Sequence, residues 1–304
     1  MQSIGVHPLT EDPTKAWDIL RRNQKYIKVK TKLPAKEQSD NQVRFVCMSD
    51  THSLIHDISF DIPDGDVFIH AGNFTKAGDI EEIVNFNAWL GTLPHKHKIV
   101  ISGNHELSFD PKFSNIIASR LETHQNTTNR RGSIKDNELP LNSPIISDCT
   151  IGKTTKLNAK QYLTNCIYLE DSSIELYGIK IYGSPWQPEF GNWGFNLKRG
   201  QQLLEKWDLI PDDTDILVTN TPPLGHGDLA CTNVRTGCVE LLTTVQKRVR
   251  PKYHVFGHIH EGYGVSTDGK IIYVNASTCD INYMPNNPAI VFDFTLPKGH
   301  IKMH

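Results

Sequence analysis

No stretch of this 304-residue chain approaches the run of about 20 apolar residues that a membrane-spanning helix needs. Its opening, MQSIGVHPLTEDPTKAWDIL, lacks the long apolar segment of a secretory leader, so a cytoplasmic protein with no membrane partner is expected. An excess of charge is also missing. Thirty-two Lys and Arg face 34 Asp and Glu, a formal net charge of -2, which gives no electrostatic case for a nucleic-acid partner. The single basic run, Lys247–Lys252, is read as closing a helix C-terminus, where cations favour the dipole. The six cysteines (Cys47, Cys149, Cys166, Cys231, Cys238, Cys279) include no C-x-x-C pair and are expected to be reduced thiols. Glycosylation sequons begin at Asn73, Asn126 and Asn275, and without a leader they are read as chance. Neither an internal repeat nor a convincing linker divides the chain.

What is present suits an ordinary globular protein: 38% hydrophobic and 22% charged residues can build a sizeable core. Residues 1–42 read as an N-terminal arm, with one helix over Thr14–Lys28 and then a polar stretch. Residues 43–304 read as one domain, in which short β-rich runs alternate with helical segments. VRFVCM (43–48) leads into SDTHS, DVFIHA (66–71) into GNFT, and HKIVISG (97–103) into NHE. Between the last two, Asp79 is placed to cap a helix carrying Ile80, Ile83, Val84 and Leu90, with Gly91 to stop it. Residues 122–160 read as a long polar loop. SSIELYGIKIYG (172–183) alternates around Gly178 and predicts a hairpin. Further strands are expected at 215–220, 253–258, 271–275 and 289–294, with a helix over Gly237–Arg250.

Strand, polar turn, helix, strand is the pattern of a largely parallel sheet, and such sheets bind ligands beyond the carboxyl ends of their strands. Those ends deliver Asp50 and His52, then Asn73, then Asn104 with His105 and Glu106, then Asn220, then His258 and His260. A packed core requires none of these donors. A mixed imidazole and carboxylate set suits Mn, Fe or Zn rather than an all-oxygen calcium cage. Each member alone is weak, since one D-x-H is as often a surface turn and a lone His260 is more often a satisfied polar residue. GHIH and GNHE at strand ends are more specific, and the order of the whole set carries the argument. Trp186, Phe190, Trp193 and Phe195 are read first as a packed loop core, with base stacking as the alternative. His226, after PPLG, either reaches a substrate phosphate or is a surface histidine. Glu106 and Asp110 are expected to orient His105, and Asn275 and Ser277 to be structural.

This order of motifs resembles the calcineurin-like metallophosphoesterase superfamily. SDTHS, GNHELSFD, YGSPWQPEFGNWGFNL, PPLGHGD, VFGHIHEGYG and NASTC are similar to segments of its metallophosphoesterase-domain-containing subfamily, from about Arg44 to near the C-terminus. The resemblance implies an α/β fold, a four-layer αββα sandwich with two divalent ions at the strand ends. It implies that Asp50, His52 and His260 hold the first metal, and that His258 and Asn104 hold the second. An aspartate bridging both ions is expected where Asn73 stands, and a histidine where Asn220 stands. His105 would protonate the leaving group or stabilise the transition state, with Asn104 and His105 against the substrate.

Both departures strike the second metal. Two divalent ions ~3.7 Å apart repel by about 18 kcal/mol at an effective dielectric near 20, and an anionic bridge offsets that repulsion. Asn73 is neutral, and Asn220 offers a weaker donor on a shorter side chain. The expectation is a first site that fills, preferentially with Mn, beside a weak second site. Either loss of activity in a lineage or deliberate substitution could produce the pair. The leading reading is a phosphodiesterase of reduced activity on small phosphodiesters such as cyclic nucleotides. The alternative is a pseudoenzyme that binds a nucleoside monophosphate or a protein partner. A protein phosphatase is less favoured, because no adaptor segment is visible.

Overall fold

A computed structural model of the chain describes residues 4–30, 39–113 and 158–302. Most of the expected 122–160 loop lies outside these, as do Asn126 and Cys149. In chain order the elements are α1 (Pro13–Leu20), β1 (Ile27–Val29), β2 (Gln42–Met48), β3 (Val67–His70), α2 (Ile80–Thr92) and β4 (His97–Val100). Then come β5 (Ile167–Tyr168), β6 (Ser172–Leu176), β7 (Ile179–Ser184), β8 (Gln187–Pro188), β9 (Asn196–Leu197), α3 (Gln201–Trp207), β10 (Ile216–Thr219) and α4 (Val239–Thr244). β11 (Tyr253–Phe256), β12 (Gly264–Thr267), β13 (Ile272–Asn275) and β14 (Ile290–Thr295) complete the fold.

Two mixed sheets pack face to face. One has the order β14-β2-β3-β4-β5, with β2 to β5 parallel and β14 antiparallel. The other has the order β1-β12-β13-β11-β10-β7-β6, parallel through β13, β11, β10 and β7. The period of two explains the layering. Val43, Phe45 and Cys47 of β2 meet Ile181, Val218, Val255 and Val274 between the sheets. Val46 and Met48 point the other way, to Ile83, Phe86 and Leu90 of α2. Tyr182, Leu217, Phe256 and Tyr273 on the outer face of the second sheet pack on Leu203 and Trp207 of α3 and Leu241 of α4. The fold is the expected four-layer α/β sandwich, and strands buried on both faces read as unbroken apolar runs for this reason.

Local signals hold in part. The 172–183 hairpin turns through Tyr177 and Gly178, both at positive φ, the geometry whose twist suits a two-residue loop. α2 is closed at its start by Glu82, which accepts from the Asp79 N–H (3.3 Å), but Val84 is exposed and the helix runs one residue past Gly91. α4 passes into a wide turn over Val245–Val249 that ends at Arg250 with φ 52°, and Arg248 donates to the carbonyls of Trp207 and Ile210 (both 2.7 Å). The helix expected over Thr14–Lys28 stops at Leu20, apart from one tight turn. The chain then extends so that β1 pairs antiparallel with β12, and that ladder outweighs helix propensity. No helix among the described residues is long and apolar enough to cross a membrane.

The arm is packed rather than loose. Ala16 and Trp17 are buried against Leu224, Val239 and Leu242, and Arg235 lies 4.7 Å over the Trp17 ring. A Cβ on Gly225 would come within 2.0 Å of that ring, so only glycine admits it. Thr10 Oγ1 donates to Glu240 Oε2 (3.0 Å), and the His7 N–H to Glu240 Oε1 (3.1 Å).

Two outcomes test this packing. Trp17→Ala should lower unfolding free energy by about 3 kcal/mol in urea titrations, and an unchanged midpoint would mean that the arm contributes no core. His254 in β11 is fully buried, and burial pushes its pKa down to about 3. The folded state therefore refuses a proton that the unfolded chain accepts near pH 6.5, so stability is complete above that pH and falls below it. Between pH 7 and pH 5 this one group should remove about 2 kcal/mol, and His254→Gln should flatten the decline.

Candidate metal centre

The expected donors do converge. β2, β3 and β4 of one sheet and β10, β11 and β13 of the other end at a common edge, where a Ser49–Ser277 bridge links the two sheets. The loops then bind one another: Asp50 N–H donates to Gly72 O (2.9 Å), His52 N–H to Asn73 O (3.0 Å) and Gly257 N–H to Asn220 O (3.2 Å). Asp50, His52, Asn73 and His258 all have left-handed backbone, with φ of 51°, 44°, 56° and 69°. Each such residue costs of order 1 kcal/mol or more, and strain of this kind concentrates where side chains must be aimed.

Asp50 is fully buried. Its Oδ2 accepts from Ser49 Oγ (2.6 Å), Ser277 Oγ (2.7 Å) and the His258 N–H (2.9 Å). Its Oδ1 accepts from Asn73 Nδ2 (2.8 Å) and faces His260 Nε2 at 3.7 Å and His52 Nε2 at 3.9 Å. Burial alone would raise the Asp50 pKa, but the hydrogen bond and charge of His260 hold it well below the carboxylate range. It is anionic at neutral pH.

His52 Nδ1 donates to Thr75 O (3.3 Å) and His260 Nδ1 to Asp280 O (3.0 Å). With those tautomers both Nε2 atoms carry lone pairs, yet they stand 3.2 Å apart. Two lone pairs at that distance repel unless a proton or a metal ion lies between them. Burial opposes charge on His260, but Asp50 raises its pKa above the ordinary value, while burial pushes His52 down to about 3. A proton on His260 is thus one solution, and a divalent ion is the other. One donor atom each from Asp50, His52 and His260 lies within 4.8 Å of the others, so these residues fit a metal ion.

The residues assigned to a second ion are arranged differently. Asn73 Oδ1 accepts from the His105 N–H (3.1 Å), and Asn220 Nδ2 donates to Gln187 Oε1 (3.0 Å) and Asn104 Oδ1 (3.3 Å). Asn220 Oδ1 is buried with no hydrogen-bond partner among the described residues. A Cβ on Gly103 would lie 2.2 Å from Asn73 Oδ1 and 2.5 Å from Asn220 Oδ1, so both amides crowd one glycine. His258 contributes its backbone to Asp50, and burial pushes its imidazole pKa to about 4.

Several expectations need correction. Glu106 does not orient the His105 ring. It accepts from the Asn73, Thr75 and Gly103 N–H groups and from Thr75 Oγ1, fixing the loops instead. Asp110 accepts from the Phe195 N–H (2.7 Å). The ring of His105 is held by Lys76 O (2.7 Å from Nδ1) and by stacking on Trp193 at 4.1 Å. The aromatic segment therefore divides: Trp186 and Phe195 pack together, Phe190 is exposed and Trp193 flanks His105. His226 is not a surface residue. It is buried, stacked on Tyr273 at 3.7 Å, with Nδ1 against Ser266 Oγ (3.0 Å). Ser277, expected to be structural, touches Asp50 directly, and Tyr283 packs on both His52 and His260. No residue pattern announced either contact. Asn73 and Asn275 are buried, which rules out glycans there.

Ser277→Ala removes one of three donors to Asp50 Oδ2. Titration calorimetry with Mn²⁺ should show affinity falling by about 10-fold or more, and unchanged affinity would mean that Ser277 does not position Asp50.

The calcineurin-like phosphoesterase family model matches residues 43–262. The chain is 48% identical to the UPF0046 protein T07D4.2 of Caenorhabditis elegans, over 95% of this chain and 69% of that protein. It is 46% identical to metallophosphoesterase domain-containing protein 1 of Homo sapiens, over 97% of this chain and 86% of that protein. Among solved structures, the phosphopantetheinyl hydrolase of Mycobacterium tuberculosis shares 12% identity at a TM-score of 0.44, covering 87% of this chain and 100% of that one. With the family model covering most of the chain and the Asp50–His52–His260 cluster in place, this protein belongs to the calcineurin-like phosphoesterases, hydrolytic enzymes that use divalent metal ions.

Proposed function

We propose that the chain is a phosphodiesterase acting on small phosphodiesters, cyclic nucleotides or similar, with turnover reduced by Asn73 and Asn220. The observation that carries the reduction is the 2.8 Å hydrogen bond from Asn73 Nδ2 to Asp50 Oδ1. An aspartate here would set two carboxylates face to face, an arrangement that needs a metal ion or a shared proton between them. The amide N–H instead satisfies Asp50 directly, and an amide nitrogen is not a ligand. Asp50, His52 and His260 would hold one divalent ion, proposed as Mn, with Fe or Zn equally compatible with the donors. An ion held there supplies Lewis acidity toward a phosphoryl oxygen. His258, Asn104, Asn73 and Asn220 form the weaker second position.

The remaining steps belong to the chain's own side chains. Lys76 O accepts a hydrogen bond from His105 Nδ1–H and Trp193 stacks on its face, so the ring is fixed with Nε2 left to act. Burial keeps the free imidazole neutral. An anionic phosphodiester beside it would favour the protonated form, which can donate to the leaving oxygen, an effect typically worth about 10² to 10⁴ in rate. The Asn104 amide is available to the substrate oxygens. A second reading, a pseudoenzyme that binds a nucleoside monophosphate without turnover, is favoured by the same Asn73–Asp50 bond. No nucleic-acid or membrane partner is proposed.

The test compares this chain with Asn73→Asp/Asn220→His, counting bound metal and following hydrolysis of bis(p-nitrophenyl) phosphate. The parent should hold about one divalent ion and the reverted protein about two. Turnover should rise by about 10² to 10³, the size of one restored electrostatic stabiliser. A parent already carrying two ions at full turnover would refute the impairment. A reverted protein that binds a nucleoside monophosphate yet hydrolyses nothing would favour the binding module instead.

A further inference from the structure

A cavity of about 450 Å³ is lined in part by Phe256 of β11 and by Glu261 and Gly262, which follow His260. None of Asp50, His52, Asn73, Asn104, His105, Asn220, His258 or His260 lines it. One wall is the arm, through Trp17, Arg21, Tyr26 and Lys28; the opposite wall includes Tyr263 and Tyr273. The size lies within the roughly 300–1,000 Å³ of small-molecule sites, and the lining combines aromatic walls with three cations (Arg21, Lys28, Arg235) and two carboxylates (Asp228, Glu261).

Charge within the lining is unevenly committed. Arg235 is engaged twice, ion-paired to buried Asp228 and stacked over Trp17. Glu261 accepts from the Cys231 N–H (2.8 Å). Arg21 and Lys28 are exposed, and the recorded ion pair of Arg21 is a loose surface contact with Asp18 at 3.3 Å, worth little. The rim therefore carries two available cations above aromatic walls. A second feature independently marks the place. His226 lies between Tyr273, at 3.7 Å, and Tyr26, at 5.6 Å. Both of those rings line the cavity, and the buried Nε2 of His226 has no hydrogen-bond partner among the described residues. His226 itself sits behind those rings rather than in the lining, and the cost of its unpartnered atom, about 1–3 kcal/mol, is one that a bound water can recover.

We propose that this seam between the arm and the domain is a second ligand site, taking a small planar aromatic anion. The ring would lie against Tyr26, Tyr263 and Tyr273, and the anionic group would meet Arg21 and Lys28 at the rim. The site needs no metal, so it stands apart from the phosphoester reading. It also depends on the arm being docked, because the arm supplies both cations.

The test uses the full chain treated with EDTA, with 1-anilinonaphthalene-8-sulfonate as the anionic aromatic probe and thioflavin T as a cationic one. The anion should bind saturably at one equivalent, and the cation should bind at least about tenfold more weakly. Arg21→Glu/Lys28→Glu should weaken the anion by about tenfold or more, while Lys112→Glu/Lys198→Glu, equal in charge but away from the cavity, should leave it unchanged. Tyr26→Ala, at a half-exposed ring, should weaken both probes with no change in the urea midpoint. Equal loss in the two double variants would reduce the effect to net charge and overturn the proposal. Binding that fails to saturate, preference for the cation, or indifference to Tyr26→Ala would overturn it as well.

Discussion

A carboxylate sealed from water must be surrounded by donors, and Asp50 draws its donors from both sheets. Ser49 precedes it after β2, Ser277 follows β13, the His258 N–H follows β11 and Asn73 follows β3. Four separate strand ends are thereby fixed relative to one negative charge. The left-handed backbones at Asp50, His52, Asn73 and His258 are part of the same requirement, since the loops must turn sharply to bring their groups inward. The sandwich supplies the rigidity that keeps this cluster from relaxing, with apolar layers on both faces of each sheet.

The second half of the site shows how far a single atom can change such a balance. The amide of Asn73 splits its two ends between Asp50 and the His105 N–H, so one residue ties the acidic centre to the loop of the expected general acid. Asn220 is held by Gln187 and Asn104 yet its oxygen has no partner among the described residues. The strand ends meet here through neutral amides, with Asp50 as the carboxylate they surround.

Much of this was legible in the residues, for definite reasons. β2, β3, β10 and β11 are buried on both faces, so each is a mostly apolar run followed by polar donors at its carboxyl end. β1, β5, β8, β9 and β12 are two to four residues long and take their identity from partners, and so no local pattern marks them. The helix drawn through Lys28 failed because β12 offered a ladder to Ile27–Val29. Within the site, the imidazoles and carboxylate were visible, but the carbonyls of Thr75, Lys76 and Asp280 that fix their tautomers are backbone atoms and carry no signature. The surface alternative for His226 fails because its ring is buried by stacking on Tyr273, a contact between distant residues that no local pattern marks.

The docking of β1 has a consequence for how the molecule behaves among its own copies. β12 would otherwise end the larger sheet, with the outward N–H and C=O groups of Gly264–Thr267 open to any extended chain. β1 closes that edge and substitutes a rim that is three residues long, exposed and centred on Lys28. A short, charged, solvated edge is a poor template for further strand addition. The arm thus acts as a selvedge, a finished border that keeps the sheet from being extended by a neighbour.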